Sequence, residues 1–492
     1  MISRPRHVVI IGGGITGLSA AYAVMEEAKK AHASVQCTVL EQDSRWGGKI
    51  LTHATQDLLM EAGPDSFLTT KPAAIELCRA LGLESRLLPT NAEHNQTFAF
   101  CRGKLRELPQ GLLAFRPQRV DHFMRSGVLS VPGMLRMGAE RFWPRPTRLP
   151  ADESMSEFFS RRFGAEAFHN LLEPLVAGIY AGDAQELSIQ ATFPRFRELE
   201  RDYGSVIKGM RALQARPPKN LPSSSFPMTM FMSLRGGLGE LTQALTGILG
   251  AQKVHLRLGE TVQYVEPAFH DDDSHRIFLR DGQCLVGDAL IVTTPAYSAA
   301  KILEQACPEF ATILNDIPYA STATVSLAYQ AESIRPLIRG FGFVVPRKEQ
   351  RALLAATWSS LKWQGRSKAG EILVRTYVGG RGRDIVLEKE DQEIGQVIQQ
   401  ELAELVGVTA KPHFMEVNRW HRGMPQYVLG HQERLSSIAS LLQGKPRLYL
   451  AGAAYRGIGI PDCIKDGMQA GKEAIQGILG DHAPVSREKD RL

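Results

Sequence analysis

Residues 7–18 read His-Val-Val-Ile-Ile-Gly-Gly-Gly-Ile-Thr-Gly-Leu, and this stretch decides the fold. An apolar run from His7 to Ile11 stops at glycines, after which Leu18, Ala21, Ala23, Val24 and Met25 recur at helical spacing. A second strand-like run, Val35 to Glu41, follows. Strand, glycine turn, helix and strand make a βαβ unit on a parallel sheet. Gly12, Gly14 and Gly17 form a GxGxxG pattern in that context. Gly12 permits the tight turn, Gly14 lets the backbone approach a pyrophosphate, and Gly17 allows close helix–sheet packing. With Gly13, Ile15 and Thr16 they open a helix whose free N–H groups and dipole favour phosphate. Glu41 ends the second strand, where a carboxylate accepts hydrogen bonds from both ribose hydroxyls and opposes a 2′-phosphate.

The rest of the chain gives this unit company. At 492 residues it is too long for one ordinary core, since domains run about 100–200 residues, and a cleft between lobes is expected. Composition is that of a globular protein, 43% hydrophobic and 22% charged, with disorder expected only from about His482 onward. The six cysteines are scattered and no histidines cluster at metal-ligand spacing, which suits a reducing compartment and no metal. Met1 to Arg6 leave no room for a signal peptide, and no run reaches about 18 apolar residues, so the cytoplasm is expected. The net charge of +6 is concentrated: residues 102–148 hold ten lysines and arginines against three acids. Interleaved with Phe115, Phe123, Phe142 and Trp143, this segment suits either a solvated helical surface or contact with anionic lipid or a multiply carboxylated ligand. No nucleic-acid motif accompanies the charge.

Residues 106–205 read as an inserted helical lobe, with amphipathic stretches such as Ser154 to Phe163. After the Pro/Ser-rich segment 216–225, strand patterns return at 253–258, 263–265, 276–279 and 289–293. More appear at 323–329, 340–345, 352–357 and 371–378, before a last strand at 447–451 and a terminal helix. The expected division is a discontinuous nucleotide domain (1–85, 226–298, 445–492), a substrate domain (86–105, 299–444) and the lobe.

Arg45-Trp-Gly-Gly-Lys49, just past Glu41, brings Gly47, Gly48 and Lys49 beside the first turn and resembles flavoproteins of the amine oxidase and desaturase type. Leu234 to Leu241, Asp288 to Pro295 and Ala451-Gly452-Ala453 extend that resemblance. No second nucleotide site is evident: Gly379 to Arg383 is glycine-rich but enters no apolar helix. Electrons taken from substrate should therefore pass to dioxygen, as in an oxidase.

Four further motifs are Glu61 to Phe67, Gly178 to Asp183 with Ala191 to Arg195, Asn418 to Tyr427, and Gly457 to Asp462. They resemble the protoporphyrinogen and coproporphyrinogen oxidases of haem biosynthesis, most of all the Gram-positive branch that acts on coproporphyrinogen III, over residues 6–480. The resemblance implies an α/β fold: an FAD-binding Rossmann-like domain of the glutathione-reductase type, an α+β substrate domain and a helical lobe that lies on membranes in some members. It implies three two-electron oxidations at one FAD, each followed by reoxidation with oxygen and release of hydrogen peroxide. No side chain is expected to be catalytic, because the flavin carries the chemistry; His421 is not assigned as a base. FAD contacts are implied for residues 12–17, Glu41, Gly47, Gly48, Lys49, Gly63, Pro64, Asp65, Ser66, Val262, Trp420, Gly452, Ile460, Pro461 and Asp462, with Trp420 equally readable as a core residue.

Lys71 stands where the bacterial branch has a lysine and is the first candidate for a propionate anchor, against the alternative of a surface lysine beside Pro72. Arg347, Lys362 and Arg366 are further anchors by charge and place alone. Gly452 is followed by Ala453, where many wider relatives have an acid. The alternatives left open are a protoporphyrinogen IX oxidase, an amine oxidase or desaturase, and a non-catalytic escort protein on this fold. Expected partners are the porphyrinogen, dioxygen, the inner face of the cell membrane as a peripheral contact, and transiently a ferrochelatase-like enzyme.

Overall fold

A computed structural model describes residues 5–108, 126–143, 150–214, 228–270, 273–335 and 337–480. Its first sheet has five parallel strands in the order His255–Leu258, Val35–Glu41, Arg6–Ile11, Ala289–Val292 and Leu448–Leu450. Val8, Val9 and Ile10 of the central strand are wholly buried, as a strand covered on both faces requires. One face carries the first helix (Ile15–Lys30) and the last (Ile460–Leu479). A Cβ on Gly467 would fall 2.2 Å from the Thr16 carbonyl oxygen, and one on Gly471 2.4 Å from that of Ala20. The two helices therefore run parallel in backbone contact, with the last helix starting about two turns ahead of the first.

The second sheet has seven strands, in the order Phe414–Pro425, Tyr319–Gln330, Glu371–Gly379, Leu353–Trp358, Gly342–Val344, Thr97–Cys101 and Lys104–Glu107. It is antiparallel except where Gly342–Val344 runs parallel to Thr97–Cys101. An antiparallel three-stranded unit, Val262–Glu266, His275–Leu279 and Cys284–Gly287, flanks the first sheet. Strand Leu87–Pro89 pairs antiparallel with Phe231–Leu234, and Lys104–Glu107 pairs antiparallel with Thr97–Cys101 at the edge of the second sheet.

Helices from Val131 to Gln214 form the lobe. Ser154 and Glu157 close a reciprocal capping box at the start of Met155–Phe163, which satisfies two otherwise free N–H groups. Phe158, Phe159, Phe163 and Phe196 build its core. A fully buried ion pair, Arg162 with Glu140, ties the 139–142 turn to that core. Of the basic segment, Phe115, Arg116, Arg119, Phe123, Arg125, Arg145 and Arg148 lie outside the described residues. The described remainder is partly internal: Arg102 pairs with Glu166 at 2.7 Å, and Arg136 donates to the Arg161 and Arg162 carbonyls while stacking 4.2 Å from Trp143. Val131, Leu135 and Phe142 are nonetheless largely exposed, at 66%, 70% and 72%. The polar end from His482 and the segment 216–225 also lie outside the described residues.

All six cysteines are free thiols. Among the described residues no His, Cys, Asp and Glu cluster could hold a metal, and no helix is long and apolar enough to cross a membrane.

Candidate active site

The glycine turn divides its labour as the spacing predicts. Gly12 has φ +110°, which only glycine adopts without strain, and a Cβ on Gly17 would fall 1.9 Å from the Gly12 carbonyl oxygen. Gly13 packs against Trp46, while a Cβ on Gly14 would meet no atom within 4 Å. Gly14 thus faces open space at a helix N-terminus that no side chain caps. The neighbouring N-terminus, at Gly459 and Ile460 with Pro461 in the first turn, is also uncapped by a side chain. Each N-terminus, with its free N–H groups and dipole, favours negative charge.

Glu41 stands at the same edge. Its carboxylate accepts from the Gly13 N–H at 2.6 Å and the Asp43 N–H at 2.9 Å. Gly47 bridges to Gly14, and the Gly47 N–H donates to the Gly13 carbonyl, so the 45–49 extension lies along the glycine turn. Lys49 is exposed by surface area, yet burial lowers its pKa. The Gly452 N–H donates to Asp466 at 2.7 Å. These features fit a dinucleotide: open backbone at Gly14, a helix N-terminus without a side-chain cap and an acid at the end of the second strand.

Residues 61–66 are held between the two sheets. Glu61 is buried and its pKa is raised by that burial, although Thr52 and the Leu238 N–H hydrogen-bond it. The Ala62 carbonyl accepts from Thr324 and from Trp420 Nε1, each at 2.8 Å, and the Gly63 carbonyl accepts from Arg375. Trp420 is therefore a half-buried strut on this segment. Burial opposes ionisation of Asp65, but Lys362 and Arg375 outweigh it and hold the carboxyl well below its usual range. Val262 is half-buried at the head of its strand.

The four cations proposed as anchors part company. Lys71 is half exposed, and its ammonium lies 2.7 and 2.6 Å from the two carboxylate oxygens of Asp462. Arg347 faces a polar cavity of about 430 Å³ with Asp183, Glu186, Tyr319 and Arg381, and pairs with Asp183 at 3.2 Å. Lys362 is half-buried, its ammonium 2.8 Å from Asp65. Arg366 is 2% exposed and donates to the Arg235 and Leu234 carbonyls and to Ser233 Oγ. All four cations thus have internal partners, and Lys362 and Arg366 are the least exposed of them. His421 is exposed on its strand.

Arg375, Thr324 and Tyr427 were not among the expected site residues. A charge in the middle of the mostly apolar run 372–378 was the available signal for Arg375; it is 4% exposed.

A family model for flavin-containing amine oxidoreductases matches residues 15–475. The chain belongs to this family. As a member it is a flavin-dependent oxidoreductase whose cofactor is FAD. It is 34% identical to the coproporphyrinogen III oxidase of Bacillus subtilis over 477 residues, covering 96% of this chain and 99% of that protein. The coproporphyrinogen III oxidase of Staphylococcus aureus is 33% identical over 475 residues, with 96% and 99% coverage. A solved structure provisionally described as a protoporphyrinogen oxidase, from Exiguobacterium sp. 255-15, superposes with a TM-score of 0.81 at 30% identity, covering 96% of this chain and 98% of the other.

Proposed function

We propose that the protein oxidises coproporphyrinogen III to coproporphyrin III, with dioxygen as acceptor. The observation that carries this reading is the end-to-end similarity to coproporphyrinogen III oxidases of two bacteria. When bound, FAD supplies a two-electron oxidant that dioxygen regenerates, so removal of six electrons takes three cycles and yields hydrogen peroxide. The protein's part is to bind, orient and shield. Gly14 and the N-terminus of helix Ile15–Lys30 receive the pyrophosphate, and Glu41 exchanges its backbone partners for ribose hydroxyls. The 61–66 segment, held by Thr324, Arg375 and Trp420, supports the ring system. Lys71 takes one propionate in exchange for Asp462, and Arg347 is a second anchor at the polar cavity.

The same reading gives the protein a cytoplasmic place with peripheral contact at the inner membrane face. The exposed Val131, Leu135 and Phe142 beside Arg136 and Arg141 support that contact. Co-sedimentation with anionic vesicles tests it, and the contact is wrong if Phe142→Ser leaves sedimentation unchanged. Release of a porphyrin calls for a metal-inserting acceptor, so a transient complex with a ferrochelatase-like enzyme is part of the proposal; its test is co-purification.

Steady-state kcat/KM for coproporphyrinogen III and protoporphyrinogen IX, read by porphyrin fluorescence, tests the function itself. Preference for the tetracarboxylate supports it, and preference for the dicarboxylate makes the protein a protoporphyrinogen IX oxidase.

A further inference from the structure

Tyr427 stands where the three parts of the molecule meet. It follows the last residue of strand Phe414–Pro425 in the substrate sheet by two positions. Its own carbonyl accepts from the Ser188 N–H of the helical lobe at 2.8 Å. Its hydroxyl reaches into the flavin domain, donating to the Ala453 carbonyl at 2.7 Å and accepting from the Gly457 N–H at 2.8 Å. That hydroxyl closes the turn from Gly452 to Gly457, which delivers the chain to the N-terminus of the last helix. Gly457 is packed so closely on Asp462 that a Cβ there would lie 2.5 Å from the carboxylate carbon. A shift of the turn is therefore a shift of Asp462 and of the helix N-terminus at the flavin site.

His431 stands behind the ring. The two rings are stacked, 4.1 Å between centroids and 13° apart, and His431 is 1% exposed. His431 Nε2 lies 3.2 Å from the Tyr455 carbonyl, which assigns the proton to Nε2, and Nδ1 has no hydrogen-bond partner. Burial pushes its pKa down to about 4, so the imidazole is neutral at physiological pH. A neutral ring with one orphaned nitrogen gains little from hydrogen bonding here. Its contribution is shape: a flat partner that leaves Tyr427 a single orientation, while the Tyr455 contact adds a second tie to the same turn.

We propose that Tyr427, backed by His431, is a positioning residue for the cofactor, clamping the 453–457 turn so that Asp462 and the last helix meet FAD in one geometry. This inference rests on the flavin fold and not on the identity of the porphyrinogen, so porphyrinogen turnover is not among its readouts. Tyr427→Phe keeps the ring and the stack and removes two buried hydrogen bonds. His431→Phe keeps the stack, and His431→Ala removes it.

The experiment follows FAD release from each purified holoenzyme by the rise in flavin fluorescence on dilution, together with the visible absorption of bound flavin and the thermal midpoint. Tyr427→Phe and His431→Ala are expected to release FAD about tenfold faster, as loss of one or two hydrogen bonds of about 1 kcal/mol implies, with an altered flavin band. His431→Phe is expected to stay within about twofold of the parent, since it retains the stack. Release and spectra unchanged in Tyr427→Phe overturn the proposal, as does a lowered thermal midpoint with unchanged release. If Tyr427→Phe does not accumulate folded, the His431 pair decides: rescue by Phe but not Ala supports the clamp, and equal behaviour of the two overturns it.

Discussion

The Lys71 ammonium is held by both carboxylate oxygens of Asp462, at 2.7 and 2.6 Å, so the candidate propionate anchor and the last helix's first turn form one unit. A substrate carboxylate at Lys71 must compete with Asp462, and the half-exposed pair is screened by solvent, which makes exchange feasible. Lys71→Ala should raise KM for the tetracarboxylate by about tenfold, the scale of one charge-assisted hydrogen bond, and for a dicarboxylate by less. Equal increases for both substrates in steady-state assays would remove Lys71 from the anchoring role.

Gly14 and Gly17, three positions apart in the same turn, should fail in different ways when given a methyl group. At Gly17 the Cβ would strike the Gly12 carbonyl oxygen, so Gly17→Ala should lower the stability of the protein even without FAD, by about 1–3 kcal/mol or more. At Gly14 the Cβ enters open space, so Gly14→Ala should fold normally and lose FAD affinity, because the methyl group stands where the phosphates approach. Denaturation of the flavin-free forms and FAD titration separate the two effects. A Gly14→Ala protein that binds FAD like the parent contradicts the assignment of the turn.

Lys362→Met should destabilise the protein by about 1–3 kcal/mol, because it leaves the half-buried Asp65 carboxylate with less compensation. Arg375 and Trp363 Nε1 remain nearby but cannot replace the lost ammonium. Adding Asp65→Asn should restore part of the loss, and chemical denaturation of the single and double variants measures how much.

Two buried histidines predict acid sensitivity. Burial pushes His431 and His275 down to about 4 from an ordinary 6.5, with Arg447 adding to the effect at His275. His275 Nδ1 accepts from the Ala268 N–H at 3.1 Å, so protonation there also breaks a hydrogen bond. Both pKa values are lower folded than unfolded, so their stabilisation is complete above about pH 6.5 and is lost as pH falls toward 4. Each contributes up to about 3 kcal/mol over that window. Urea midpoints between pH 7 and 4.5 should fall, and His431→Phe should flatten the slope; an unchanged slope contradicts a neutral buried His431.

The nucleotide-binding half was legible because local chemistry dictates it. A run such as Val8 to Ile11 followed by Gly12, Gly14 and Gly17 has few structural outlets, and most of the later strand patterns recur in the sheets within a residue or two. What the pattern could not carry is the destination of a charge. Lys362 meets Asp65 across 297 positions, and Arg366 meets the carbonyls of residues 234 and 235 across more than 130. Nothing near either cation in sequence signals its partner. Tyr427 was visible as part of a motif, but its function depends on three distant segments converging, which only the folded chain displays.

The central claim, that a bound flavin in this protein oxidises a tetracarboxylate porphyrinogen, is tested most directly by mixing FAD-loaded protein with coproporphyrinogen III or protoporphyrinogen IX without oxygen, then admitting oxygen. Faster loss of the flavin absorption with coproporphyrinogen III, followed by its recovery and the appearance of coproporphyrin fluorescence, is the predicted result. Absence of bleaching with coproporphyrinogen III would contradict the account.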